Sequence, residues 1–231
     1  MPVAYDIGMH NGDDTHYYLS KGFDVVSVEA NPTLCEAAAE RFANELSSNR
    51  LKILNLAISD KEGEINFYVH KQQSEWSTIV PPAEDASEWT AMQVKTARLQ
   101  DIVPPDRPAD FMKIDIEGAD YFALDSLEKS GRAPNAIVCE AHSLKILCKL
   151  ICMDYKRFRL INAKAARKAF KKHRITTLSG ERIRFGFSKH SSGPAGLDLP
   201  GEWYSAEQAA QLWGVRTLMF GMGWYDIHAE R

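Results

Sequence analysis

The sequence predicts a mostly parallel α/β sheet with helices on both faces, a doubly wound, Rossmann-like fold. Three observations carry that expectation. Short apolar runs alternate with helix-like periods through the first two thirds of the chain, the order that parallel strands with helical crossovers require. The runs place apolar residues at adjacent positions, as strands covered on both sides do. The first run, Val3 to Ile7, opens directly into a glycine-bearing polar turn, GMHNGDDT, where sheets of this kind place their ligands.

The elements follow in order. After Val3 to Ile7 comes a helix from about Asp13, then a strand from Asp24 to Glu29. A helix runs from Pro32, a residue suited to a first helical turn, to about Leu46, with Asn31 as its cap. Leu51 to Ser59 reads as extended, and Ile65 to Val69 as a hairpin arm behind the turn DKEG. His70 to Glu88, rich in Ser, Pro and Glu, reads as a loop over a site, and Met92 to Leu99 as a further extended piece. PPDRP marks a break before the strand Phe111 to Ile116. A helix from about Ala119 to Lys129 stops at Gly131, and Ala136 to Ala141 is a buried strand before the helical run LKILCKLICM. Beyond Tyr155, KRFRLIN and ERIRFGF read as strands, AKAARKAFKKH as a basic helix and SSGPAGLDLPGEW as a turn-rich loop. SAEQAAQLW begins with Ser205 three residues before Gln208, the spacing of a capping box.

With 231 residues, 45% of them hydrophobic and 26% charged, the chain has an ordinary globular balance. One domain over 1–231 is expected, with 1–142 as its ligand-binding core and 155–231 as a basic, turn-rich C-terminal part. The net charge of −3 argues against general nucleic-acid binding, but it hides an asymmetry. Nine Lys or Arg and no acid lie between Lys156 and Arg174, which leaves −12 for the remainder. Such a run is most often a solvated face; its other reading is a surface for an anionic acceptor. Cys35, Cys139, Cys148 and Cys152 show no metal or disulfide spacing and read as reduced thiols. No apolar stretch is long enough to span a membrane and no secretory leader is evident, so a cytoplasmic protein is expected.

Gly8 and Gly12 are spaced GxxxG, which matches neither the dinucleotide pattern GxGxxG nor a phosphate loop. Asp13 and Asp14 in the first helical turn would oppose a pyrophosphate seated on that helix end. S-adenosyl-L-methionine, with a sulfonium, an ammonium, one carboxylate and no phosphate, satisfies both constraints. Asp6 would receive its ammonium, and Gly8 and Gly12 would let the backbone come close. Glu29, 17 residues after Gly12 at the end of the second strand, would accept from both ribose hydroxyls. That last feature fits NAD equally. The plain alternative is a tight glycine turn, a capping Asp13 and a surface Glu29.

DIGMHNGDDT, VEANP, LAISDKEGEINFYV, the WSTI segment, TARLQDIV and above all MKIDIEGADYFAL resemble the successive motifs of the FkbM-type, S-adenosylmethionine-dependent methyltransferases. The resemblance runs from Tyr5 to about His142. It implies a class I methyltransferase fold, a seven-stranded sheet with its last strand antiparallel, and methyl transfer to oxygen on a sugar, glycoconjugate or secondary metabolite. It assigns Asp6, Gly8 and Gly12 to the first motif and Glu29 to the ribose, while His10, Asn11, Thr15 and Asn31 beside them are further candidates for holding the cofactor. Ala57, Ile58 and Ser59 fall to the adenine side, and Asp115 and Glu117 to the IDIEG acids. Met9-His10 departs from the pattern, where the family more often has Ala and Asn, and His10 stands where the general pattern DxGxGxG has its middle glycine.

Methyl transfer from a sulfonium asks the protein for alignment and for removal of the acceptor's proton. Alternation puts Lys113, Asp115 and Glu117 on one side of their strand, and Glu140 and His142 on one side of the next. His142 is the first choice of base and Glu117 the second, with Asp115 beside them and paired to Lys113. The same acids and imidazole also read as ligands for a divalent metal, but no spacing signature supports one, and none is expected. Ser77 and Thr78 lie in the loop over the site. The rival readings are an NAD-dependent oxidoreductase and a non-catalytic module for an anionic partner.

Overall fold

A computed structural model of the chain describes residues 1–82, 86–170, 173–199, 201–220 and 225–231. β1 (Val3–Ile7) leads through a glycine turn to α1 (Asp13–Lys21), and β2 (Asp24–Glu29) to α2 (Pro32–Arg41) and α3 (Ala43–Ser47). β3 (Leu51–Asn55) and β4 (Ala57–Ile58) precede the hairpin β5 (Gly63–His70) and β6 (Trp89–Ala97). α4 (Leu99–Ile102), β7 (Phe111–Ile114), α5 (Asp120–Ser130), β8 (Ala136–Glu140) and α6 (Leu144–Cys152) continue the alternation. β9 (Arg157–Asn162), α7 (Ala163–Ala169), β10 (His173–Thr176), β11 (Arg182–Phe185), α8 (Ala206–Phe220) and β12 (Tyr225–Glu230) form the C-terminal part.

Seven strands make one sheet in the order β3-β2-β1-β7-β8-β12-β9, in which β12 runs antiparallel to both of its neighbours. This is the seven-stranded arrangement that the resemblance implies. All five residues of β1 are buried, and alternation sends them to two separate cores. Tyr5 and Ile7 pack with Leu124 of α5, Leu147 of α6 and Trp213 of α8. Ala4, on the other face, packs with Tyr17 and Tyr18 of α1, Phe42, Ile175 and Phe185. A fully buried leucine such as Leu124 contributes about 1.5–3 kcal/mol by leaving water, so these two layers carry most of the fold's stability.

Local chemistry explains the boundaries. The Asn31 side chain accepts from the Thr33 amide at 3.0 Å and starts α2, with Pro32 in its first turn. The single helix expected from Pro32 to about Leu46 instead breaks at Phe42, which leaves helical geometry (φ −112°, ψ 30°) and lays its ring against Gly12. The extended stretch expected through Ser59 also divides: β4 leaves the main sheet to pair with β6. α5 ends at Gly131, whose φ of +67° is a left-handed geometry that favours glycine. Ser205 and Gln208 form the expected capping box, with the Gln208 side chain accepting from the Ser205 amide at 2.9 Å. No described helix is long and apolar enough to cross a membrane.

Candidate active site

Strand order reverses between β1 and β7, and the crevice beyond their carboxyl ends is where a sheet of this type receives a ligand. Gly8 sits there at φ +86°, and a Cβ built on it would meet the Asp115 carbonyl oxygen at 1.9 Å. The two strand-end turns therefore touch through backbone, and glycine is required. The next turn residue of interest, His10, also has positive φ, +51°, the geometry a glycine would adopt at that point of the motif. Its amide donates to Glu29 Oε2 at 2.8 Å, while the Asn31 amide donates to Glu29 Oε1 at 2.8 Å. Glu29 thus fixes the turns after both strands, and burial raises its pKa.

Around this crevice lies a cavity of about 480 Å³. One wall is apolar, made by Leu56, Ala57, Ile58 and Phe67. Met9, His10 and Glu29 form a second, and Lys113, Asp115, Glu117 and Glu140 a third. The loop 74–79 covers it and is tied at both sides: His10 Nε2 lies 2.8 Å from Ser74 Oγ, and Thr78 Oγ1 donates to the Glu117 carbonyl at 2.7 Å. Lys189 and His190 close the remaining side. They are brought there by α1, because Ser188 and Ser191 donate to Asp13 and Asp14, and the Ser192 amide reaches both Asp14 oxygens at 3.1 Å.

The third wall is strongly coupled. Lys113 is buried among Asp6 at 3.7 Å, Asp14 at 3.3 Å and Asp115 at 3.2 Å. Burial would lower its pKa, but Asp115, Asp14 and Asp6 hold it well above the ordinary value. Burial would raise Asp115, but Lys113, a hydrogen bond with Glu140 and the charge of His142 together hold it below the ordinary carboxylate value. Glu117, at φ +49°, is pushed to about 8 by burial and then by the charges of Glu140 and Asp115. Glu140 rises to about 7 through burial and Asp115. His142 Nε2 stands 2.8 Å from Glu140 and 3.7 Å from Asp120. Burial alone would lower His142; Glu140, Asp120 and Glu117 instead carry it to about 9.

Of the residues expected to hold a cofactor, Gly8, His10, Glu29, Ala57, Ile58 and Asp115 line the cavity. Asp6 does not: it is fully buried, accepts from Thr15 Oγ1 at 2.6 Å and faces Lys113. Thr15 is likewise buried between Asp6 and Ser27. Asn11 bonds Asp13, Gly12 backs onto Phe42, Asn31 caps α2 and Ser59 bonds Asp60; none of these lines the cavity. Asp13 and Asp14 are occupied by the C-terminal loop, Arg41 and Lys113, so they do not act as the free repelling charges that their sequence position suggests.

Glu117 reaches the cavity for a reason alternation misses. β7 ends at Ile114, and the positive φ of Glu117, not strand register, sets the direction of the turn. The acids around His142 carry it to about 9, which weighs against the imidazole as the first proton acceptor and favours the neighbouring carboxylates. Glu117, Glu140 and His142 bring ligand atoms within 4.8 Å of one another, a grouping that could also hold an ion. None of the described residues in 156–174 lines this cavity; Arg159, for one, is committed to the carbonyls of Leu199 and Gly201. Sequence reasoning missed Leu56, Phe67, Lys189 and His190, whose only signals were an apolar residue ending a strand, one in a hairpin arm, and a polar loop.

An open α/β sheet with a cavity at its switch point and acids at the strand ends has the architecture of the doubly wound class. The methyltransferase FkbM domain profile matches residues 6–152, and the chain belongs to that methyltransferase family. A solved methyltransferase FkbM from Methylobacillus flagellatus KT is similar at 17% identity and a TM-score of 0.48, over 69% of this chain and 39% of that one. The chain therefore spans well under half the length of that relative. A precorrin-6Y C5,15-methyltransferase from Geobacter metallireducens GS-15 is similar at 11% identity and a TM-score of 0.41, over 100% of this chain and 80% of that one. No curated protein sequence matches the chain.

Proposed function

We propose that the chain transfers a methyl group from S-adenosyl-L-methionine to a hydroxyl of a small-molecule or glycoconjugate acceptor. The observation that carries this reading is one cavity joining an apolar wall, a strand-end carboxylate and an acidic cluster at the switch point. The residues fit the cofactor's chemistry. Gly8 presents bare backbone to the cavity, Glu29 would accept from ribose hydroxyls, and Leu56, Ile58 and Phe67 would enclose the adenine. Asp115, ionised and in the cavity, takes the place assigned to Asp6 as partner of the ammonium. When bound, the cofactor supplies a methyl on a sulfonium, with a neutral thioether as leaving group.

The chain's part is to orient the hydroxyl and accept its proton. Glu117 and Glu140, displaced to about 8 and about 7, are poised near neutral pH as general bases. His142 remains protonated and offsets part of the negative charge around them. Calorimetric titration with S-adenosyl-L-methionine and, separately, NAD tests the assignment. Binding of the former and production of S-adenosylhomocysteine with an acceptor pool are expected. Binding of NAD alone would overturn it in favour of an oxidoreductase.

A further inference from the structure

A second, more open recess of about 810 Å³ lies where α5 and α6 meet, lined by Gly118, Asp120, Tyr121, His142, Ser143 and Ile146 among others. It adjoins the first cavity. Glu117 lines one and Gly118 the other, and the 2.8 Å contact of His142 with Glu140 crosses between them. Four of the eight exposed large apolar side chains among the described residues collect at this junction. Trp76 borders the first cavity, Val80 lies over Gly118, Tyr121 borders the recess, and Leu144 follows Ser143 into α6.

Single exposed apolar residues are ordinary, but a group set around a polar centre marks a binding site. The charges that Lys149 brings to the recess are already committed: it pairs with Asp125 at 2.9 Å and with Glu128, and it sits 5.2 Å over the Tyr121 ring. Tyr121 and Ile146 give the recess an apolar side, Asp120, Glu128, Lys145 and Lys149 are its charged lining, Trp76 and Val80 stand toward the first cavity, and Glu117, Glu140 and His142 mark its inner end. We propose that it receives the body of the methyl acceptor, and that this body is an aryl or alkyl group bearing the hydroxyl that reaches the two glutamates. The proposal rests on reading the first cavity as the methyl-donor site.

Cys148 and Cys152 are exposed and line the recess, whereas Cys35 and Cys139 are buried, so thiol labelling reads its occupancy without turnover. N-ethylmaleimide alkylation, followed by mass spectrometry, is measured with 2-naphthol as the apolar probe and methyl β-glucoside as the polar one. Saturating 2-naphthol should slow labelling of Cys148 and Cys152 about fivefold or more, and the glucoside should not. The double variant Tyr121→Ser, Leu144→Ser should lose that protection while binding S-adenosylhomocysteine as the parent does, both side chains being more than 40% exposed. No protection by 2-naphthol, equal protection by the glucoside, or protection retained in the double variant would each overturn the proposal. Absence of S-adenosylhomocysteine binding in the parent would instead overturn the methyl-donor reading, leaving the protection result interpretable by itself.

Discussion

Replacing Glu117 by glutamine and, separately, by glycine divides two costs that this residue imposes on the fold. Its backbone lies at φ +49°, a left-handed geometry that costs a residue with a Cβ about 1 kcal/mol. Its carboxyl is displaced from 4.5 to about 8, by burial first and then by Glu140 and Asp115. The folded state thus prefers the protonated form, so the penalty is absent below pH 4.5, grows as pH rises, and is complete above pH 8. Taken as a single site, that displacement is on the order of 5 kcal/mol, part of which is shared with Glu140 and Asp115. Glu117→Gln should match the parent within about 1 kcal/mol at pH 5 and exceed it by up to about 4 kcal/mol at pH 9. Glu117→Gly should add about 1 kcal/mol at both pH values, roughly 2–4 °C in Tm for a chain of this length. Both should reduce S-adenosylhomocysteine formation about a hundredfold. Circular-dichroism melts at the two pH values and a turnover assay provide the readouts. A glutamine variant no more stable than the parent at pH 9, or either variant turning over within threefold of it, would refute the reasoning.

Three further substitutions test the site. His142→Ala should leave cofactor binding intact and lower kcat about tenfold to a hundredfold, with the acid limb of the pH–rate profile moving up because Glu140 loses the imidazolium that lowers its pKa; an unmoved limb would dissociate His142 from the base. Glu29→Ala leaves the His10 and Asn31 amides without their acceptor, and calorimetry should show the cofactor Kd rising about tenfold or more. An unchanged Kd would remove Glu29 from the ribose side. Gly8→Ala drives a Cβ to 1.9 Å from the Asp115 carbonyl, and urea unfolding should show a loss of about 3 kcal/mol or more. A loss under 1 kcal/mol would mean that the strand-end turns can separate.

The alternation of strands and helices was legible because it depends on burial of neighbouring side chains, which composition along the chain records. Val3–Ile7, Asp24–Glu29 and Ala136–Glu140 were located almost to the residue. Boundaries failed where one contact outweighed local pattern: Phe42 leaves its helix to meet Gly12, and β4 leaves the main sheet for β6. In the candidate site, the motif residues Gly8, Glu29 and Asp115 were legible, since glycine spacing and a strand-end acid are local signals. Lys189 and His190 were not, because they reach the cavity through Ser188, Ser191 and Ser192, which α1 holds from more than 170 residues away in the chain.

The sequence by itself determined the layered sheet, the position of the switch-point turn and membership of a methyltransferase family, all of which follow from periodicity and short-range motifs. Only the tertiary structure decided which acids line the cavity and which are spent inside. Asp6 and Glu117 both stand at strand ends, yet Lys113 and Thr15 enclose the first while a left-handed backbone turns the second into the cavity. Protonation was decided there as well, since His142 and the two glutamates owe their states to burial and to one another's charge, quantities that exist only once the strands are side by side.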